Sequence, residues 1–480
     1  MSSSPPTHPG DLRRDLFLVA AAGVLAFVPF LGQTRRLASN EIRHAEIARE
    51  MAESGDFLIP RLLGRPYLNK PPVLHAAAAL LFRAAGRPSL GLARAPSVAA
   101  GILGALLLYG IGRTLADRRT ALLAAILVLG VPGYGRMARE VHPDMIYAAG
   151  ILLSCFALGR DMKAASDRPV WPVLAGFGSG LATLAKGPLG LLFPLLFLLL
   201  APSGRPDLRR PRAGVWLLFL ASSAATLALW AIPVRLRDGG EYLHGVLTQP
   251  DLGEDLQESK HGLLWYLPPL FASFLPFSLF LPLAAVRTAG RRAFTPLAIG
   301  GAMLLVLSIV PKKRSHYLLP IYPFLSLGVA EAVVGCARRR WIPRVAGALA
   351  AASLAGNSVY LGLLMPLFHP QEADNVALAR EVVERVEPGR PLIVSRGMAE
   401  LLAFVGRRNR VWEAPGPEDL LERIREGGVG TYLVLPEERS GAILRALEGR
   451  VALSPVLAKD LASTRKGRRW DVLRVDSIRP

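Results

Sequence analysis

Residues 171–201 read WPVLAGFGSGLATLAKGPLGLLFPLLFLLLA, and the way this stretch divides decides the fold. It is too long for one straight helix across a hydrocarbon layer about 30 Å thick, and tight for two, at about 1.5 Å of rise per residue. A single helix would place the following clusters Arg205/Arg209/Arg210/Arg212, Arg287/Arg291/Arg292 and Arg338/Arg339/Arg340 outside the membrane. Two short spans joined at Lys186-Gly187-Pro188 keep those clusters inside, as the bias of basic loops toward the cytoplasm requires.

Outward from there, apolar runs recur at 16–31, 92–112, 121–136, 143–159, 214–234, 263–286, 295–310, 316–335 and 342–367. The expected architecture is a polytopic α-helical membrane protein of about eleven to thirteen spans. Composition agrees: 480 residues are 51% hydrophobic, with 57 Lys+Arg against 37 Asp+Glu and a formal charge of +20, and the mean hydropathy is +0.34. An ordinary soluble enzyme does not combine these, and a disordered basic chain would lack the apolar half. Nor do the arginines mark a nucleic-acid binder, because they sit in short loops between apolar runs without aromatic platforms. The first apolar run follows Arg13 and Arg14 but has no small-x-small cleavage site after it, so it reads as a span with a cytoplasmic N-terminus. Cys155 and Cys336 both fall in or at the end of apolar runs and suggest neither a disulfide framework nor a zinc site.

Two segments are large enough to be folded outside the membrane. Residues 34–90 lie within a membrane portion spanning 1–368, and residues 369–480 form a tail. In the loop, Ile42, Ala45, Ala48 and Met51 share one helical face, which predicts an amphipathic helix on the membrane surface. A second such helix is expected from Pro71-Pro72 to Ala85. The tail reads as a small α/β domain, with strands at Leu392–Ser395, Arg410–Trp412, Thr431–Leu435 and Trp470–Val475 and helices at Met398–Val405, Pro417–Glu426 and Gly441–Leu447. It carries no Gly-rich nucleotide fingerprint.

Two basic pieces, Lys186 and the run Lys312-Lys313-Arg314, stay outside against the charge bias and call for a different explanation. They belong to an ordered set: Asn40-Glu41-x-Arg43-His44-Ala45-Glu46, Ser54-Gly55-Asp56 with Ile59-Pro60, Tyr67-x-x-Lys70-Pro71-Pro72, Arg139-x-x-x-x-Asp144, Ala185-Lys186-Gly187 and His316-Tyr317-x-x-Pro320. Over roughly the first 370 residues this set resembles the polyprenyl-phosphate-sugar-dependent membrane glycosyltransferases, the C-type fold that includes protein O-mannosyltransferases and the lipid A aminoarabinose transferase. The resemblance implies an inverting transfer at the outer surface, from a polyprenyl-phosphate sugar to a lipid, glycan or protein acceptor, in a bacterial-type inner membrane with the tail extracytoplasmic. It also implies that Glu41 and Asp144 are the catalytic acids, with Asn40, Arg43, Tyr67, Lys70, Arg139, Lys186, His261, Lys312, Lys313, Arg314, His316 and Tyr317 around the substrates. The chemistry fits the residue types. A leaving phosphate needs fixed cations where charge develops, and an acceptor hydroxyl needs a carboxylate within hydrogen-bond reach.

This chain departs from the family at one place: Asn40 stands where members commonly have the aspartate assigned as base. Glu41 is the favoured replacement and Asp144 the second choice; a catalytically silent scaffold is the reading in which neither serves. Each residue also has a plainer role. Asn40 suits a helix N-cap and Glu41 or Asp144 a first turn; Lys70 can snorkel to headgroups; Lys186 and the 312–314 run can be loop cations. A lipid-linked sugar transporter would use similar cations but is expected to show interrupted helices in repeated halves, and no such symmetry is present. No cofactor is demanded by the sequence. His44, His75, His142, His261 and His316 lack ligand spacing, yet imidazoles near carboxylates leave a divalent metal open and unassigned.

Overall fold

Proline and glycine punctuate the apolar runs into a succession of helices. The computed structural model describes residues 9–33, 39–164, 168–205, 207–248, 262–289, 295–310, 313–336, 341–360, 364, 370–394, 398–414, 416–461 and 468–479; His261 and Lys312 lie outside them. Its contacts divide into two units. One comprises Met1–Leu31, Leu68–Leu74 and Arg94–Tyr360, the other Gly32–Tyr67, His75–Ala93 and Leu361–Pro480.

The first unit is helical. Among the described residues three helices are long and apolar enough to cross a membrane: Leu90–Leu115, Asp144–Lys163 and Ala213–Asp238. Two bent pairs raise this to five if each is one span, Arg118–Gly130 with Pro132–Ala138 at 67° and Leu263–Ser273 with Phe277–Thr288 at 113°. Helices Leu189–Ser203, Thr295–Ile309 and Tyr322–Gly335 are apolar but shorter, so against the eleven to thirteen spans expected, three to five helices among the described residues meet both length and composition. The run 263–286 is not one straight span. Pro276 has no N–H and disfavours helical backbone at Leu275 before it, and the chain turns there. The stretch 171–201 divides as expected, into Val170–Lys186 and Leu189–Gly204, with Gly187 between them at φ 103°, a conformation natural to glycine.

Packing in this unit is set by small residues. A Cβ on Gly150 would lie 2.7 Å from the carbonyl oxygen of Gly178, and one on Gly178 would lie 2.8 Å from that of Gly150, so helices Asp144–Lys163 and Val170–Lys186 touch backbone to backbone. Two residues away on either side, Gly176 and Gly180 turn toward Ala213–Asp238, where Ser223 Oγ donates to the Gly176 carbonyl at 3.1 Å and Ser222 Oγ to that of Val173 at 2.8 Å. Helix Ala213–Asp238 buries little of itself and exposes Leu217, Leu229, Ile232 and Leu236, a surface suited to lipid.

In the second unit the helix Ser39–Ser54 is followed by a hairpin of β1 (Arg61–Leu62) and β2 (Arg65–Pro66). Leu63 and Gly64 both take positive φ, 51° and 79°, the requirement of a tight two-residue hairpin turn. The Glu50 carboxylate secures that turn by accepting from the Leu63 and Gly64 amides at 2.6 and 3.1 Å. The helix Val73–Ala85 follows, two residues shorter at its start than expected. The tail builds a five-stranded sheet from β3 (Leu392–Val394), β4 (Val411–Glu413), β5 (Tyr432–Pro436), β6 (Val451–Leu461) and β7 (Arg468–Ile478) in the order β4-β3-β5-β7-β6. Strands β4, β3 and β5 are parallel, while β7 is antiparallel to both β5 and β6. Alternate residues of the parallel strands are buried on opposite faces. Leu392, Val394 and Val434 join Leu402 and Val382 in one core, and Ile393, Leu433 and Leu435 join Leu420 and Ile424 in another.

The first core also takes Ile42 of the loop helix. The loop helix is therefore not an amphipathic rod lying on a membrane surface with its polar face wet. Glu41, His44, Glu46 and Arg49 are buried along with Ile42, Ala45, Ala48 and Met51, and the segment 34–90, grouped by sequence with the membrane portion, packs in large part with the tail. Strand β6 was not expected. It is an edge strand holding Pro455, with a register shift between Pro455 and Leu457, and such irregularity erases the alternation that marks strands.

Candidate functional site

The helices Asp144–Lys163 and Val170–Lys186 bring their ends together at a charged pair. Asp144 opens the first, just after Pro143, and Lys186 closes the second. An acid at an N-terminus and a base at a C-terminus are each favoured by the helix dipole. The Lys186 ammonium and His142 Nδ1 both contact the Asp144 carboxylate. The Asp144 side chain is 1% exposed and that of Lys186 12%. Lys186 Nζ also lies 3.9 Å from the centre of the Tyr317 ring and 5.7 Å from that of Tyr147, one turn along the helix from Asp144, a cation–π arrangement strengthened by exclusion of water.

The short turn Ser315–Leu318 supplies the opposite wall. His316 meets His142 with ring centres 5.1 Å apart, and Tyr317 meets His316 at 5.0 Å. A small cleft beside His316 is lined by Arg136, Ser273, Ser315 and Tyr322. Lys70 belongs to this unit too. Burial holds its ammonium below the ordinary lysine range, Asp144 pulls the other way, and Arg314 reinforces burial. Lys313 donates to the Val310 carbonyl at 3.2 Å. One ligand atom each of His142, Asp144 and His316 lies within 4.8 Å of the other two. Two imidazoles and a carboxylate are a donor set that suits zinc, although Lys186 already shares the carboxylate.

Arg139 has a different occupation from the expected one. Its Nη1 and Nη2 donate to the carbonyls of Ala26 and Pro29 at 2.9 and 2.6 Å, while Arg94 Nη1 donates to Leu31 O at 2.7 Å. Two arginines thus serve the carbonyls at and beyond the end of helix Pro9–Phe27.

The second unit holds Asn40, Glu41, Arg43 and Tyr67. Asn40 is exposed and Glu41 buried. Arg43 Nε donates to Glu400 Oε1 at 2.8 Å, and its Nη1 donates to Asn40 Oδ1 at 3.3 Å. His44 Nδ1 and His75 Nε2 are 2.9 Å apart, with the Tyr67 ring edge-on to both at 6.2 and 6.0 Å. Burial pushes His75 down to about 3.

Among the candidates, Asp144, Lys186, His316 and Tyr317 converge. His142 and Tyr147 join them without having been chosen for that role; their signal was spacing, two residues before and three after Asp144. The pairings Arg43–Glu400 and His44–His75 had no local signal, since 357 and 31 residues separate the partners.

The sequence profile described as dolichyl-phosphate-mannose-protein mannosyltransferase matches residues 69–230. The undecaprenyl phosphate-alpha-4-amino-4-deoxy-L-arabinose arabinosyl transferase of Pectobacterium atrosepticum is 26% identical over 91% of this chain and 80% of its own length. That of Pectobacterium carotovorum is 29% identical over 69% of this chain. The match spans less than two thirds of that relative's own length, 63%, and likewise 64% of an uncharacterized Aquifex aeolicus protein that is 26% identical over 67% of this chain. The crystal structure of ArnT from Cupriavidus metallidurans bound to undecaprenyl phosphate shares the fold, with a TM-score of 0.72 and 17% identity over 96% of this chain and 97% of that one. In its ordered motifs, in the profile matched over residues 69–230 and in this shared fold, the chain is similar to the C-type membrane glycosyltransferases, among them the protein O-mannosyltransferases and the aminoarabinose transferases.

Proposed function

We propose that this protein moves a sugar, with inversion, from a polyprenyl-phosphate donor to a lipid, glycan or protein hydroxyl of the cell envelope. The observation that carries the reading is the meeting of Lys186, His142, His316 and Tyr317 around the buried Asp144. A leaving phosphate gains charge as the bond between its oxygen and the sugar's anomeric carbon breaks, and Lys186, Lys70 and Arg314 are the cations that would answer it. Tyr317 and Tyr147 confine the Lys186 ammonium without neutralising it. Because Lys186 and His142 occupy the Asp144 carboxylate, we assign Asp144 to holding those two side chains and Glu41 to taking the acceptor's proton as the hydroxyl attacks the opposite face of the sugar. The His142–Asp144–His316 set would hold a divalent cation where one is present, supplying further neutralisation of phosphate; Lys186 provides a charge at the same carboxylate without it. Names of the relatives favour undecaprenyl phosphate as carrier and an aminopentose among the sugars. The proposed setting is an inner membrane, N-terminus cytoplasmic, tail outside.

The test is mass spectrometry of envelope lipids, glycans and proteins from cells with and without the chain, rescued with the native form, Glu41→Gln or Lys186→Ala. Loss of one sugar from one acceptor, with build-up of its polyprenyl-phosphate form and rescue by the native chain alone, is the expected result. An unchanged profile overturns the transferase, and full rescue by Glu41→Gln moves the base away from Glu41.

A further inference from the structure

The helix Ser39–Ser54 carries Glu41 near its start, and two arginines along it reach into the tail. At the N-terminal end Arg43 forms an ion pair with Glu400 at 2.8 Å. Almost two turns later Arg49 Nη2 donates to Asn409 Oδ1 at 2.9 Å and to the Arg408 carbonyl at 3.3 Å. Arg49 does not need the tail for its charge. Glu46 and Glu53 of its own helix lie 2.6 Å from it, so its charge is already answered and its reach to residues 408 and 409 adds geometry. Arg49 and Glu46 are 1% and 0% exposed, which fixes the guanidinium on its own helix, and its two part-buried bonds to the tail then favour one rotation and one axial position of that helix. Next to Arg43, Ile42 enters the core formed by Leu402, Ala399 and Val382.

The tail is thereby fastened to this helix at two arginines and through the apolar contact of Ile42. A helix advances about 100° per residue, so a small slip on the tail would swing Glu41 away from any fixed target. We propose that the C-terminal domain acts as the positioning platform for the loop helix, with Glu400 and Asn409 as positioning residues for Glu41. Glu400 sets the N-terminal end through Arg43, which in turn holds the Asn40 side chain at 3.3 Å. The idea rests on Glu41 being the base only in its catalytic consequence; the fastening itself is independent of the reaction.

Three variants of the full chain in lipid nanodiscs test this: Glu400→Gln, Asn409→Ala, and Glu400→Gln combined with Asn40→Asp. Hydrogen exchange of residues 39–54 is expected to quicken in both single variants, with residues 144–163 unchanged. Turnover should fall by roughly tenfold or more with the donor KM unaltered, the mark of misplacement rather than lost binding. Residue 40 touches Arg43 from within the same helix, so Asn40→Asp returns a charge to that guanidinium without reaching the tail and should leave exchange of residues 39–54 fast in Glu400→Gln; exchange restored by Asn40→Asp would overturn the proposal by making charge balance on Arg43, not the tail, what holds the helix. Unchanged exchange at 39–54 in both single variants overturns the proposal, as does loss of donor binding in place of turnover. If Glu400→Gln fails to fold, Asn409→Ala, which removes no charge, decides the same question. A native chain without transferase activity sinks the proposed function alone, since the exchange measurements still report whether the tail holds the helix.

Discussion

Asp144 and Lys186 meet from the N-terminus of one helix and the C-terminus of its neighbour, forty-two residues apart in sequence, with the ammonium over the ring of Tyr317. Both charges are withdrawn from water, so each makes the other tolerable. Replacing either alone, as Asp144→Asn or Lys186→Met, strands a buried charge, and thermal unfolding of the purified protein should report a loss of about 3–5 kcal/mol. The double variant should lose less than the sum of the two. Additive losses would mean that the pair contributes nothing as a pair.

The approach of those two helices depends on Gly150 and Gly178. A methyl group at either position would lie 2.7–2.8 Å from backbone oxygen, an atom with no side-chain freedom to yield. Gly150→Ala and Gly178→Ala should each cost about 1–3 kcal/mol and displace Lys186 from Asp144. Gly347→Ala, where the added atom would meet nothing within 4 Å, should leave stability unchanged or raise it by up to about 1 kcal/mol through helix propensity. Equal effects at all three positions, read by thermal unfolding, would remove close packing as the explanation.

Much of this was legible in the sequence because it is local. The break at Lys186-Gly187-Pro188 is written in a lysine, a glycine and a proline side by side, and the tail's parallel strands are written in short apolar runs such as Leu392–Val394, with β-branched Ile393 and Val394. Lys186 and Asp144 were legible as charges at the ends of apolar runs, and His316 and Tyr317 through the family resemblance alone. The burial of the loop helix was not, because Glu46 and Arg49 read as solvent-facing charges until each is seen to answer the other. Nor was the bend at Pro276, where an unbroken apolar composition concealed a turn of 113°.

Arg139 separates a structural role from a substrate role. It serves the carbonyls of Ala26 and Pro29, so Arg139→Met should cost about 1–3 kcal/mol for each acceptor left unpaired in the interior. The donor KM of whatever fraction stays folded should match the native value. A raised KM at native thermal stability would instead return Arg139 to the substrate.

The His44–His75 pair predicts a pH response in the loop. His75 titrates at about 3 in the folded chain because burial opposes its charge, against about 6.5 in an unfolded one. With the folded value depressed, stability from this group is whole above pH 6.5 and drains as pH falls toward 3, since only the unfolded state readily takes the proton. The loss reaches about 2 kcal/mol by pH 5. Hydrogen exchange of residues 39–54 and 73–85 should therefore quicken between pH 7 and pH 5 beyond the intrinsic chemical trend, and His75→Phe, which keeps an aromatic ring but no titrating nitrogen, should flatten the response. A response that persists in His75→Phe would assign the titration to another group.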